Sequence, residues 1–83
     1  MNKQEIYAYV AAIVTTLAEF EGSVAESTVY IALGMDLDLY HRVARIMRQI
    51  DVVRITGNRI ALTASGRAFA AELQETLDNQ EVN

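Results

Sequence analysis

Eighty-three residues suffice for one small domain, which removes only about 60 to 65% of its unfolded-chain surface from water, and a separate ligand-sensing domain is not expected among them. The chain is 52% hydrophobic and 22% charged, without proline or cysteine, which excludes a disordered tail, a disulfide framework, a thiolate zinc site and a cysteine nucleophile. Its formal charge of −4 means that any affinity for a polyanion has to come from a local surface, not from the chain as a whole.

Lys3 followed by the apolar run from Ile6 to Ala18 has the outline of a signal-peptide core. That run is too short to span a bilayer as a helix, Glu5 adjoins it, and no small-x-small cleavage site follows. The expectation is a core helix of a cytoplasmic protein. Ile6, Val10, Ile13, Val14, Leu17 and Phe20 recur at three- and four-residue steps, predicting a helix over about residues 3 to 20 with these side chains inward. Its other face carries Tyr7, Ala8, Ala11, Ala12 and Thr15. Either alanine stands there as a good helix former, or the small residues and Tyr7 make a homodimer contact.

Gly22 is placed to end this helix. A second, shorter one follows in "SVAESTVYIALGM", where Ser23 and Glu26 have the spacing of a capping box. The alternative is a one-residue strand at Val24 with the helix starting after it. Val29 and Leu33 are expected inside, and Gly34 permits the reversal that follows.

The third helix, about Leu37 to Ile50, has the clearest pattern. Leu39, Tyr40, Val43, Ala44, Ile46, Met47 and Ile50 fall within an arc of about 160° at 100° per residue. Asp38, His41, Arg42, Arg45, Arg48 and Gln49 share the complementary arc. After Asp51 the period turns to alternation: "VVRIT" and "RIALT" flank Gly57-Asn58, a link that closes a tight hairpin, with Arg54 and Arg59 expected near its open edges. "LTASGRAFAAELQETL" restarts a helix, with Thr63 or Ser65 as cap and Phe69, Leu73 and Leu77 as its inner stripe. Residues 78 to 83 read as a polar, frayed tail, and about 5 to 77 as the core of one domain.

Charge is divided sharply along the chain. Residues 1 to 38 hold Lys3 against six carboxylates, residues 39 to 71 hold six arginines against Asp51, and residues 72 to 83 hold four carboxylates and no cation. Guanidinium is the planar fork that matches phosphate or a guanine edge, so the central block points to a nucleic acid. A competing reading neutralises it, with Arg42 pairing Asp38 and Arg48 pairing Asp51 on a merely solvated face. Arg45 has no acid within a helical turn. His41 is the single histidine, and no phosphate-cradling loop or paired-carboxylate arrangement is present, so neither an enzyme, a metal site nor a cofactor is expected.

The order helix, short helix, glycine turn, basic amphipathic helix, hairpin, helix resembles the winged helix-turn-helix of small prokaryotic transcription regulators, an α+β fold with a three-helix core and a wing. "VAESTVYIALGM" is similar to their small strand, second helix and turn. "YHRVARIMRQIDVVR" resembles the recognition helix running into the wing, and "ITGNRIALTASGRAF" the wing with its L-T-x-x-G entry to the last helix. The resemblance implies double-stranded DNA as ligand, with the third helix in the major groove. It puts His41, Arg42 and Arg45 at bases or phosphates and Arg54, Asn58 and Arg59 at the backbone, with Arg48 and Gln49 on the same helical face. Asp51 stands where these regulators commonly keep glycine, which predicts a differently shaped turn. Leu37 and Leu39, apolar where a regulator is usually polar, favour the other use of such a scaffold, docking a protein partner without nucleic acid.

Overall fold

The computed structural model describes residues 2–81. Asn2 opens the first helix, α1 (Lys3–Ala18), by accepting a hydrogen bond from the Glu5 amide at 2.8 Å, which satisfies one donor that a helix start leaves free. Val10, Ile13, Val14 and Leu17 are buried along one face as their spacing requires. The helix stops short of Phe20, whose ring is exposed instead of facing inward.

At residues 23 to 26 the strand reading prevails over the capping box. Val24–Ala25 form β1, paired antiparallel with a later strand, and α2 (Glu26–Ala32) starts at Glu26 without a side-chain cap. The Glu26 amide donates to the Asn58 carbonyl at 2.8 Å, so a hairpin carbonyl does the work expected of Ser23. Val29 is buried and Leu33 half-buried. Gly34 then takes φ +62, left-handed backbone where a Cβ would be strained, and turns the chain into α3 (Leu37–Gln49).

Directly after α3, Asp51 adopts φ +62. The turn therefore has the glycine-like shape, contrary to the expectation raised by the substitution, and an L-residue bears its strain. Relieving it is worth about 1 kcal/mol or more, less what a glycine's larger unfolded-state entropy subtracts. Asp51→Gly is accordingly expected to stabilise the protein by about 0.5 kcal/mol, and Asp51→Val to destabilise it, read as shifts of the urea midpoint at constant slope.

β2 (Val53–Thr56) and β3 (Arg59–Leu62) are joined through Gly57, also at φ +62, while Asn58 is not left-handed. Positive φ at the first central position alone is the type II′ pattern that suits the twist of a hairpin. The sheet is three-stranded and antiparallel in the order β1-β3-β2, with Val24 opposite Ile60 and Thr56 opposite Arg59.

The last helix, α4 (Ala64–Glu81), is capped by Thr63, whose Oγ1 accepts from the Gly66 amide at 3.0 Å and donates to the Asp51 carbonyl. Ala70 is buried, and Phe69 and Leu73 pack partly against the core, but Leu77 is 48% exposed. It was expected inside; α4 instead runs on past the end of the surface it covers, and every residue from Gln74 to Asn79 is exposed. Helix continues through Glu81, and residues 82 and 83 of the expected tail lie outside the described residues.

Among the described residues the protein is thus a mixed α+β structure of four helices and a small antiparallel sheet. Tyr40, Ile13, Leu17, Met47, Ile60, Val14, Val29 and Val43 form its fully buried centre. No helix among the described residues is long and apolar enough to cross a membrane.

Candidate nucleic-acid interface

The geometry of α3 follows from its two faces. Asp36 caps it, accepting from the Asp38 amide at 3.2 Å, which explains both acids at this end as cap and first-turn partners of the helix dipole. Tyr40, Val43, Ala44 and Met47 are buried and pin the helix to the core. The opposite face, with His41, Arg42, Arg45, Arg48 and Gln49, is exposed as its arc predicts. Ile50, placed by periodicity with the inward set, is 54% exposed.

Tyr40 fixes the rotation of α3. Its hydroxyl donates to Glu26 Oε2 at 2.8 Å, and its ring lies 5.2 Å from that of Tyr30. Burial first, and then the hydrogen bond and charge of Glu26, hold its pKa well above the ordinary phenol range, so at neutral pH it is a pure donor to that carboxylate. A shallow hollow beside it is lined by Glu26, His41, Ala44, Arg45, Arg48 and Ile55. A second, sharing Glu26 and His41, continues past Ser27, Tyr30 and Leu37 to Asn58 at the hairpin turn. Arg45, Arg48 and Gln49 border a third. The furrow between α3 and the hairpin therefore collects four of the expected residues, His41, Arg45, Arg48 and Asn58, and Gln49 lies beside Arg45 and Arg48 on α3 itself. It also contains Glu26, whose spacing from Ser23 points only to a capping role.

The competing neutralised surface does not form through hydrogen bonds. Among the described residues no guanidinium hydrogen bond joins Arg42 to Asp38 or Arg48 to Asp51. Arg42, Arg45, Arg48 and Arg54 donate no hydrogen bond to any described residue, whereas the other two arginines are engaged.

The hairpin arginines depart from expectation. Because β1 joins its far side, β3 is the middle strand and Arg59 does not stand at an open edge. Arg59 Nε donates to Ser23 Oγ at 2.9 Å and Nη2 to the Ser23 carbonyl at 2.7 Å, clamping the approach to β1 against the hairpin. Side chains alternate across a strand and directly opposed residues share a face. Buried Val53 and half-buried Ile55 thus take one face, and Arg54, Thr56 and Arg59 the other. Arg54 and Arg59 accordingly project from the sheet face opposite to the one Ile55 shares with α3. Arg67 reaches the Phe20 and Glu21 carbonyls, each at 3.4 Å, closing the end of α1.

The small-residue face of α1 is partly used within the chain. Thr15 borders a groove with Ala70, Ala71 and Gln74 of α4, and the Tyr7 ring meets Phe69 edge-on at 6.2 Å. Ala11 and Ala12 are half-buried and Ala8 is exposed. Among the described residues no three His, Asp or Glu side chains are grouped to hold a metal ion. Comparison with protein-family models and with curated proteins finds no match to this chain.

Proposed function

We propose that this is a winged helix-turn-helix protein that binds duplex DNA through α3 and the turn of its hairpin, in the manner of a small transcriptional regulator. The element order, with a two-residue β1 paired to the hairpin in the sequence β1-β3-β2, supports the fold. The observation that carries the function is the exposed face of α3. His41, Arg45 and Arg48 line one furrow with Gln49 next to the two arginines, and the two guanidinium groups are not spent on hydrogen bonds to described residues. An α-helix fits the major groove, and fork-shaped donors left free by their own chain are those that phosphate and guanine edges recruit. Arg59 is withdrawn from this role by Ser23 and Arg54 projects from the far face of the sheet, leaving Arg42, Arg45 and Arg48 as the cations for the backbone, with Asn58 at the turn.

A titration of a short random-sequence duplex across salt concentrations tests the reading. Three phosphates engaged give a slope of log affinity against log salt of about −2.7. Binding that ignores salt, or no binding at low salt, refutes it.

A second reading has its own observation. Ile31 is 71% and Leu37 47% exposed, and Leu37 borders the furrow itself. Apolar side chains at that rim favour a protein partner docking on the same scaffold, and salt-insensitive capture of such a partner is the result that distinguishes it.

A further inference from the structure

Glu26 is the one acid among the residues that line the furrow between α3 and the hairpin. It is held from two sides. Its amide donates to the Asn58 carbonyl at the hairpin turn, and its side-chain Oε2 accepts from the Tyr40 hydroxyl of α3, each at 2.8 Å. Oε1 accepts no hydrogen bond from any described residue, and because no buried polar side-chain atom among those residues lacks a partner, Oε1 faces water. Arg45 and Arg48 line the same hollow, yet neither guanidinium donates to this carboxylate.

A fixed, unpaired carboxylate is a cost in a furrow that receives a polyanion, because it repels phosphate. The cost is offset where the ligand presents an N–H donor at that spot. In the major groove of duplex DNA the amino groups of cytosine and adenine are such donors. They are not equivalent before a carboxylate. Adenine sets its N7 acceptor beside the amino group, where it opposes a second oxygen, whereas cytosine offers its N4 amino group with no acceptor beside it.

Resting on the reading of α3 and the hairpin turn as a duplex-binding surface, we propose that Glu26 is a specificity-determining residue whose Oε1 accepts from the N4 amino group of a cytosine at one fixed position of the bound site. Tyr40 is its positioning residue. By holding Oε2 it keeps the carboxylate from swinging onto Arg45 or Arg48 and leaves Oε1 open to the furrow. Base selection then comes in part from the start of α2, while the arginines of α3 hold the phosphates.

Selection by the full chain from a pool of short duplexes with a randomised core, with sequencing of the bound fraction, is the test. Wild type is expected to enrich cytosine at one position, where changing the base lowers affinity about fivefold or more. Glu26→Gln keeps an oxygen for the Tyr40 hydroxyl and turns an amide toward the base. That enrichment should be lost, while affinity for the unselected pool is undiminished. Tyr40→Phe, which keeps the ring in the core, should weaken enrichment at the same position and at no other. The same base preference in wild type and Glu26→Gln overturns the proposal and leaves the duplex-binding reading standing. So does a Glu26→Gln variant that loses affinity for all duplexes alike, since Glu26 is then a support for α3 and nothing more. A wild-type protein that binds no duplex of the pool at low salt overturns both.

Discussion

Gly66→Ala is expected to lower stability by about 2 to 3 kcal/mol, although in an exposed helix the same change would raise it by about 1 kcal/mol. A Cβ built on Gly66 overlaps the Val52 carbonyl oxygen and crowds Leu62 Cδ2. That carbonyl cannot retreat without loss, because it accepts the Thr63 amide at 3.1 Å. Thr63 in turn ties the Gly66 amide and the Asp51 carbonyl together through its hydroxyl. The L-T-x-x-G sequence thus has a physical content: threonine caps α4 and staples it to the turn after α3, and glycine lets the first turn of α4 lie against that backbone. At about 4 to 8 °C per kcal/mol for a chain of this size, thermal unfolding should shift down by about 10 to 20 °C. Gly22→Ala is the control, since nothing lies within 4 Å of a Cβ there and its φ is not left-handed; it should change the midpoint little. If Gly66→Ala moves it no more than Gly22→Ala does, the close approach is not what fixes α4.

What the sequence made legible, and what it hid, divides by the range of the deciding contact. The inward face of α3 and the cap at Asp36 rest on residues within a turn or two of one another, so periodicity alone shows them. Whether residues 23 to 26 form a cap or a strand depends on β3, more than thirty residues away, and the Ser23 and Glu26 spacing is compatible with both outcomes. The same two-residue strand turns β3 from an edge into the middle of the sheet and takes Arg59 out of the expected contact set. Ile50 and Leu77 matched the helical period of their neighbours yet lie beyond the area that the rest of the chain covers. Helical phase gives a direction, not the presence of something to pack against. The apolar groove where Ile6 and Tyr7 meet Ile46, Ile50 and Phe69 was hidden for the converse reason: its walls come from three segments, each of which reads alone as an ordinary core stripe.

Replacing Arg45 and Arg48 together by alanine should reduce affinity for duplex DNA by about 2 to 4 kcal/mol and flatten the salt slope by about 1.8, two phosphates' worth. Both guanidinium groups border the furrow and are exposed, and neither bonds to the described chain, so their removal subtracts from binding without loosening the fold. Arg59→Ala is expected to behave in the opposite way. It deletes two hydrogen bonds that hold Ser23 to the hairpin, so thermal stability should fall, with a loss of roughly 1 kcal/mol, while the salt slope stays near that of wild type. Arg67→Ala, whose partners are the carbonyls at the end of α1, should likewise leave the slope unchanged. The comparison separates where cationic charge sits from how much of it there is, because all of these variants remove arginines from the same central block. If Arg59→Ala or Arg67→Ala flattens the slope as much per arginine as the α3 pair does, affinity comes from diffuse charge and α3 is not the docking element. If the α3 pair lowers affinity for the duplex with an unaltered slope, these arginines meet base edges and not phosphate; if no duplex binds at all, the exposed apolar rim at Ile31 and Leu37 becomes the better guide to the partner.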